Sequence, residues 1–162
     1  MSDPIVAHLE KRLDAYLAEL AMLVNQDSGS YDKAGVDIVT GKLAERLRSM
    51  GFAVERVPQT AFGDDLVARR QGQGRGRIML LGHADTVFPA GTTAERPMSI
   101  VGGKVMGPGT CDMKAGLMTG VYAIEALDAI DWGDYETITF VIVSDEEIGE
   151  RHSVDLLTRE GA

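Results

Sequence analysis

Two short runs, residues 78–81 and 138–143, are nearly continuous in apolar side chains and rich in branched ones. Such runs suit strands buried on both faces of a parallel sheet. Between them, residues 113–127 carry Leu117, Val121, Ile124 and Leu127 at helical spacing. Strands that alternate with helices imply an α/β layered sheet.

The rest of the chain fits that frame. Asp3 followed by Pro4 reads as a helix start, and Ile5, Leu9, Leu13, Tyr16, Leu17, Leu20 and Leu23 recur behind it at helical spacing. A second helix is predicted over 36–50, with Val39, Leu43 and Leu47 inward and Gly51 as its stop. Residues 52–57 and 66–70 read as short strands, and 71–76 as a hairpin-like loop. The stretch 154–159 begins or forms a last helix. Nineteen glycines collect between the apolar segments, as turns would place them.

Composition narrows the function. The 162 residues amount to about one domain. Sixteen Lys and Arg against 25 Asp and Glu leave a net charge of −9. That argues against nucleic-acid and anionic-membrane partners, both of which need a basic face. No apolar run approaches the roughly 20 residues of a membrane span. The N-terminus lacks the basic head and apolar stretch of a signal peptide. Cys111 has no second cysteine to pair with, which makes a reducing cytoplasm the default expectation.

Three polar clusters fall at the ends of the predicted elements. His83 and Asp85 follow the strand 78–81, Asp112 precedes the helix 113–127, and Glu146 and Glu147 follow the strand 138–143. In open α/β sheets, sites form beyond the carboxyl ends of the strands. Imidazole and carboxylates without a thiolate suit zinc, cobalt or manganese at a catalytic centre. Asp85 shares a strand face with His83 and is placed to hold its free ring N–H. Of two adjacent glutamates, one can ligate while the other takes a proton from water. Each cluster alone is also an ordinary turn or helix start; the three in this order carry the argument.

The segments GHADTVFPAGT (82–92), GPGTCDMKAG (107–116) and SDEEIG (144–149) resemble the di-zinc metallopeptidase and amidohydrolase family of glutamate carboxypeptidase, acetylornithine deacetylase and succinyl-diaminopimelate desuccinylase. The VFPAGT extension is most similar to the glutamate carboxypeptidase branch. The resemblance implies a three-layer α/β/α fold with a mostly parallel central sheet of the zinc-peptidase kind. It implies hydrolysis of an amide bond in a peptide or N-acyl amino acid bearing a free carboxylate, with two zinc ions. His83 would ligate one ion, Asp112 would bridge both, and Glu147 would ligate the other. Asp85 would orient His83, and Glu146 would be the general base that later protonates the leaving amine. The peptide after Asp112 would be cis. Ala84 and Ala115 depart from common family residues, without removing a ligand.

Members of that family are usually more than twice this long. They supply a further acidic ligand after the glutamate pair, a distal histidine, and an inserted lid domain used for substrate contacts and dimerisation. The 162 residues therefore read as the N-terminal portion of a catalytic domain, incomplete without that remainder. Weak metal binding, little hydrolysis by this chain alone, and self-association through an exposed sheet edge are expected. The alternative is a noncatalytic chain that assembles with a partner. A nucleotide-binding reading lacks a phosphate loop; residues 101–105 have the wrong spacing for one and read as a hairpin turn.

Other polar residues have plainer readings. Cys111 is expected to be a small buried hydrophobe. His8 is expected at the helix boundary, and Lys114 beside nearby acids. His152 is a remote candidate for an improvised ligand. Arg75 and Arg77 flank a glycine loop in an acidic chain, which argues against an RNA contact.

Overall fold

The computed structural model describes residues 3–161; Met1, Ser2 and Ala162, on which the reading of the chain's two ends partly rests, lie outside the described residues. Helix α1 spans Pro4–Val24, and Asp3 caps it by accepting from the Ile5 N–H at 2.8 Å. Helix α2 spans Lys33–Ser49 and starts ahead of the expected residue 36, because Asp32 accepts from the Gly35 N–H at 3.0 Å and caps an earlier turn. Gly51 ends that stretch at φ 82°.

Strands β1 (Ala53–Val57), β2 (Asp65–Gln71) and β3 (Arg77–His83) follow. Then come a short helix α3 (Thr92–Glu95), strands β4 (Ser99–Val101) and β5 (Lys104–Met106), a wide helical turn at Thr110–Lys114, and helix α4 (Ala115–Asp128). Strand β6 (Thr137–Val143), a short turn at Glu146–Ile148 and helix α5 (Val154–Gly161) complete the order. β4 and β5 pair through Gly102 and Gly103, both at positive φ, the conformation a two-residue hairpin requires.

The main sheet runs β1-β2-β6-β3. It is mixed rather than mostly parallel: β3 and β6 are parallel, while β2 is antiparallel to both β1 and β6. Only β3 and β6 are joined through the helical crossover that parallel neighbours need. The 71–76 loop is not a hairpin, because β6 inserts between β2 and β3.

The sheet lies between two layers of helix. Leu66, Ala68, Ile138, Phe140 and Ile142 face α1, α2 and α4 in the larger core. Val67, Val141 and Val143 face Leu156 of α5 in a smaller one. β6 is the buried centre, as its composition predicts. β3 is not buried on both faces: Ile78, Met79 and Leu81 remain 38%, 42% and 47% exposed, because β3 is the last strand of the sheet.

Candidate metal centre

The parallel pair explains why the three clusters meet. β3 and β6 end side by side, with His83 in register with Val143. The crossover helix α4 runs back against the strands, so it begins at their carboxyl ends. His83, the turn holding Asp112, and the turn holding Glu146 and Glu147 therefore converge from three stretches of sequence far apart in the chain. Ligand atoms of His83, Asp112 and Glu147 all lie within 4.8 Å of one another, the group among the described residues able to hold a metal ion. A buried imidazole nitrogen and two carboxylates fit a divalent transition metal.

Asp85 organises this end of the sheet. It is fully buried, and its Oδ2 accepts from Ser30 Oγ at 2.7 Å and from the Glu147 N–H at 3.2 Å. Its Oδ1 accepts from the Glu146 N–H at 3.3 Å and lies 3.3 Å from His83 Nδ1. The Asp85 carbonyl is 3.1 Å from the same ring nitrogen. Acceptors on the Nδ1 side place the ring proton there and leave Nε2 to face Asp112 Oδ1 at 3.0 Å. Glu146 Oε2 lies 3.8 Å from Nε2. The Asp112–Met113 peptide is cis, as the resemblance implies.

The charges are unbalanced. Burial pushes the Asp85 carboxyl up, but its bonds from His83 and Ser30 outweigh this and hold it below the usual range. Burial, then the charge of Asp112, push Glu147 above its usual range. For His83, burial lowers the imidazole, but hydrogen bonds to Asp85 and Asp112 lift it to about 9. Acidic groups gathered around one imidazole retain a proton there until a cation replaces it.

Several residues differ from their sequence-based reading. Cys111 is exposed rather than buried, because it sits on the outer side of the turn that presents Asp112. Lys114 does not pair with an acid. It is fully buried and its Nζ donates to the Gln26 carbonyl at 2.7 Å. Burial lowers its pKa to about 8. His152 lies against Phe62, ring centroids 4.6 Å apart and planes tilted by 45°, and is not part of the triad. His8 meets Glu125 at 3.3 Å on the helix boundary. Two supporting residues had no sequence signal of their own. Ser30 reaches Asp85 only because Gly29 bridges Thr86 and the Ser30 N–H binds the Thr86 carbonyl at 3.2 Å. Asp65, buried at the head of β2, accepts from both the N–H (3.0 Å) and the Oγ (2.8 Å) of Ser144 and so fixes the start of the glutamate turn.

Carboxypeptidase G2 of Pseudomonas sp. (strain RS-16) is 33% identical over 148 residues, covering 90% of this chain and 36% of that protein. Succinyl-diaminopimelate desuccinylase of Anaplasma marginale (strain Florida) is 29% identical, covering 93% and 40%. The structure of human carnosine dipeptidase 1 superposes with a TM-score of 0.82 at 20% identity, covering 97% of this chain and 37% of that one, a likeness of fold. This chain thus spans between a third and two fifths of the length of these relatives. Residues 79–162, which hold all three clusters, match the family model of peptidase family M20/M25/M40, and the chain belongs to that family.

Proposed function

We propose that this chain provides the metal-holding and proton-transfer side of a centre that hydrolyses an amide bond in a peptide or N-acyl amino acid. The observation that carries the reading is the convergence of His83, Asp112 and Glu147, with a buried Asp85 behind them that fixes both the imidazole and the glutamate turn. The names of the relatives, a carboxypeptidase and a desuccinylase, support amide cleavage. His83 and Glu147 would each hold one zinc ion and Asp112 would span the two; cobalt and manganese suit the same donors. Zinc bound there supplies Lewis acidity, which polarises a carbonyl and brings the pKa of water to about 7.

The chain's own residues do the rest. Asp85 keeps the His83 ring in one tautomer and orientation. Glu146, half exposed at the edge of the triad, takes the proton of the attacking water and returns it to the leaving amine. We take residues 1–162 as the N-terminal portion of a catalytic domain, with the lid and remaining ligands supplied by a further stretch; the greater length of the relatives supports this. By itself the chain would hold metal weakly and turn over little substrate. A cytoplasmic setting fits the single cysteine. A noncatalytic chain that assembles with a partner or a second copy is the second reading, and the exposed Met79 and Leu81 on edge strand β3 favour it.

Calorimetric titration of the metal-stripped chain with zinc tests the leading reading. Zinc uptake that disappears in Asp112→Ala supports it. Uptake that persists unchanged in that variant places the metal elsewhere and overturns it.

A further inference from the structure

Asp112 is the least supported member of the triad. Its side chain is 73% exposed, and among the described residues its carboxylate bonds only the His83 ring. Its place is therefore set by the turn that carries it. Two neighbouring side chains tie that turn to different parts of the molecule. Met113 reaches the strand, where its Sδ accepts from the His83 N–H at 3.4 Å. The Lys114 stem runs past Gly109, where a Cβ would stand 2.6 Å from Thr86 Cγ2 and 3.4 Å from Lys114 Cδ. Its Nζ ends on the Gln26 carbonyl at 2.7 Å.

Gln26 belongs to the loop 25–32 between α1 and α2, which bonds several stretches around the centre. Asn25 Oδ1 accepts from the Met98 N–H at 2.7 Å, and Asp27 from the Gly91 and Thr93 N–H groups at 2.6 and 3.0 Å. The Ser28 carbonyl accepts from the Thr86 N–H at 2.8 Å, and Ser30 Oγ donates to Asp85. The loop thus reaches both partners of the His83 ring. Through Ser30 it holds Asp85 on the Nδ1 side; through Gln26 and Lys114 it holds the turn whose Asp112 faces Nε2. Residues 29–32 also line a cleft of about 560 Å³ that Glu147 lines from the other side, so the loop touches the surroundings of all three ligands.

Burying an ammonium is a costly way to fill space. Lys114 carries three donors, has one acceptor, and makes no ion pair among the described residues. An apolar stem of the same length would fill the channel at lower cost. What the amine adds is a directional, charge-assisted hydrogen bond between segments 88 residues apart. We infer that Lys114 is a positioning residue for the metal centre: its bond to the Gln26 carbonyl fixes the Asp112 turn to the same loop that holds Asp85. The two sides of the His83 ring then share one reference. The inference rests on the metal reading above.

Zinc titration, urea unfolding and amide hydrogen exchange of the 162-residue chain test it. Lys114→Met keeps the apolar stem and removes the amine. Lys114→Gln keeps an N–H that falls one bond short of Gln26. Both should bind zinc about tenfold more weakly, as expected when a group that orients a metal ligand is lost. Without metal, both should lower the protection of the residue 114 N–H, which bonds the Gly109 carbonyl at 2.9 Å, by about tenfold. Asn25→Ala removes a bond from the same loop that leads to Met98 instead. It should lower the urea midpoint and leave zinc affinity and that protection unchanged. If the Lys114 variants behave as Asn25→Ala does, Lys114 only stabilises the fold and the assignment is overturned. An equal loss of zinc affinity in Asn25→Ala, or failure of both Lys114 variants to fold, overturns it as well. Zinc uptake in the parent chain that is indifferent to Asp112→Ala overturns the metal reading instead, and the protection of the residue 114 N–H then still decides whether Lys114 holds the turn.

Discussion

The two ends of the main sheet both carry acidic residues and a cleft, and they differ in how the charge is spent. At the end away from the triad, a cleft of about 720 Å³ is lined by Arg70, Asp128, Asp131, Trp132 and Asp134. It is the larger of the two, yet its one arginine is fully committed. Arg70 donates to both oxygens of Asp128 at 2.8 and 2.7 Å, to the Met50 carbonyl at 3.0 Å and to Tyr135 Oη at 3.0 Å, and its guanidinium lies 4.9 Å from the Phe52 ring centroid. That end is a closed set of bonds joining α4, the end of β2 and the loop before β6. At the triad end, Asp112, Glu146 and Glu147 share one imidazole. Cavity size does not mark the proposed centre; carboxylates gathered within reach of one buried imidazole do.

The comparison breaks most severely at Asp85. In Asp85→Ala the His83 ring loses the carboxylate beside Nδ1 and keeps only the main-chain carbonyl of residue 85, while Ser30 Oγ and the N–H groups of Glu146 and Glu147 lose their acceptors. Zinc affinity should fall by about 10- to 100-fold, the range for residues that orient a metal ligand. The chain should also lose about 3 kcal/mol of stability, because burial leaves the orphaned partners unsatisfied. Calorimetry and urea unfolding measure the two effects. An unchanged zinc isotherm would show that Asp85 is only a packing residue.

A graded effect comes from pH, and its two signs run in opposite directions. His83 in the folded, metal-free chain is lifted to about 9 from an ordinary 6.5. The folded state therefore binds a proton that the unfolded state releases between those values. The stabilisation is fully present below pH 6.5 and is lost as pH rises through 9. Zinc must displace the same proton, so its affinity should rise across that window, by up to about tenfold per pH unit. Thermal unfolding of the metal-free chain and zinc titrations from pH 6 to 9 should give these opposed slopes, and His83→Gln should flatten both. Parallel slopes would separate the imidazole from the metal.

How much of this was legible in the sequence depends on whether the signal is local. The crossover from β3 through α4 to β6 is written in branched runs and a helical stripe, and it alone brings His83, Asp112 and Glu147 to one end. Sheet composition was less legible. The central place of β6 follows from its burial, but nothing local says that β2 pairs with β6 and not with β3. Residues 71–76 are rich in glycine whether they close a hairpin or pass beneath an inserted strand. Ser30, Asp65 and Lys114 were missed or misread for a related reason: their partners lie 55, 79 and 88 residues away, set by tertiary contact alone. Cys111 shows the converse. Composition favours burial for cysteine, but the turn that aims Asp112 at His83 carries its neighbour outward.

The mildest substitution sharpens the comparison from the other end of the sheet. Asp128→Ala removes both oxygens that Arg70 grips, a bidentate geometry that would be costly if it left a buried charge alone. It does not. Asp128 is 40% exposed, and Arg70 keeps the Met50 carbonyl, the Tyr135 hydroxyl and the faces of two aromatic rings. The loss should therefore be about 1 kcal/mol or less, in the range of solvent-screened pairs, and should shrink further with added salt. The zinc isotherm should not move. If zinc uptake fell alongside stability, the two ends would be coupled through the sheet, and the contrast between a closed set of bonds and an open cluster of carboxylates would not locate the function. If stability alone shifts by that small amount, the larger cleft is a structural joint, and the smaller one beside Glu147 is where substrate chemistry should be sought.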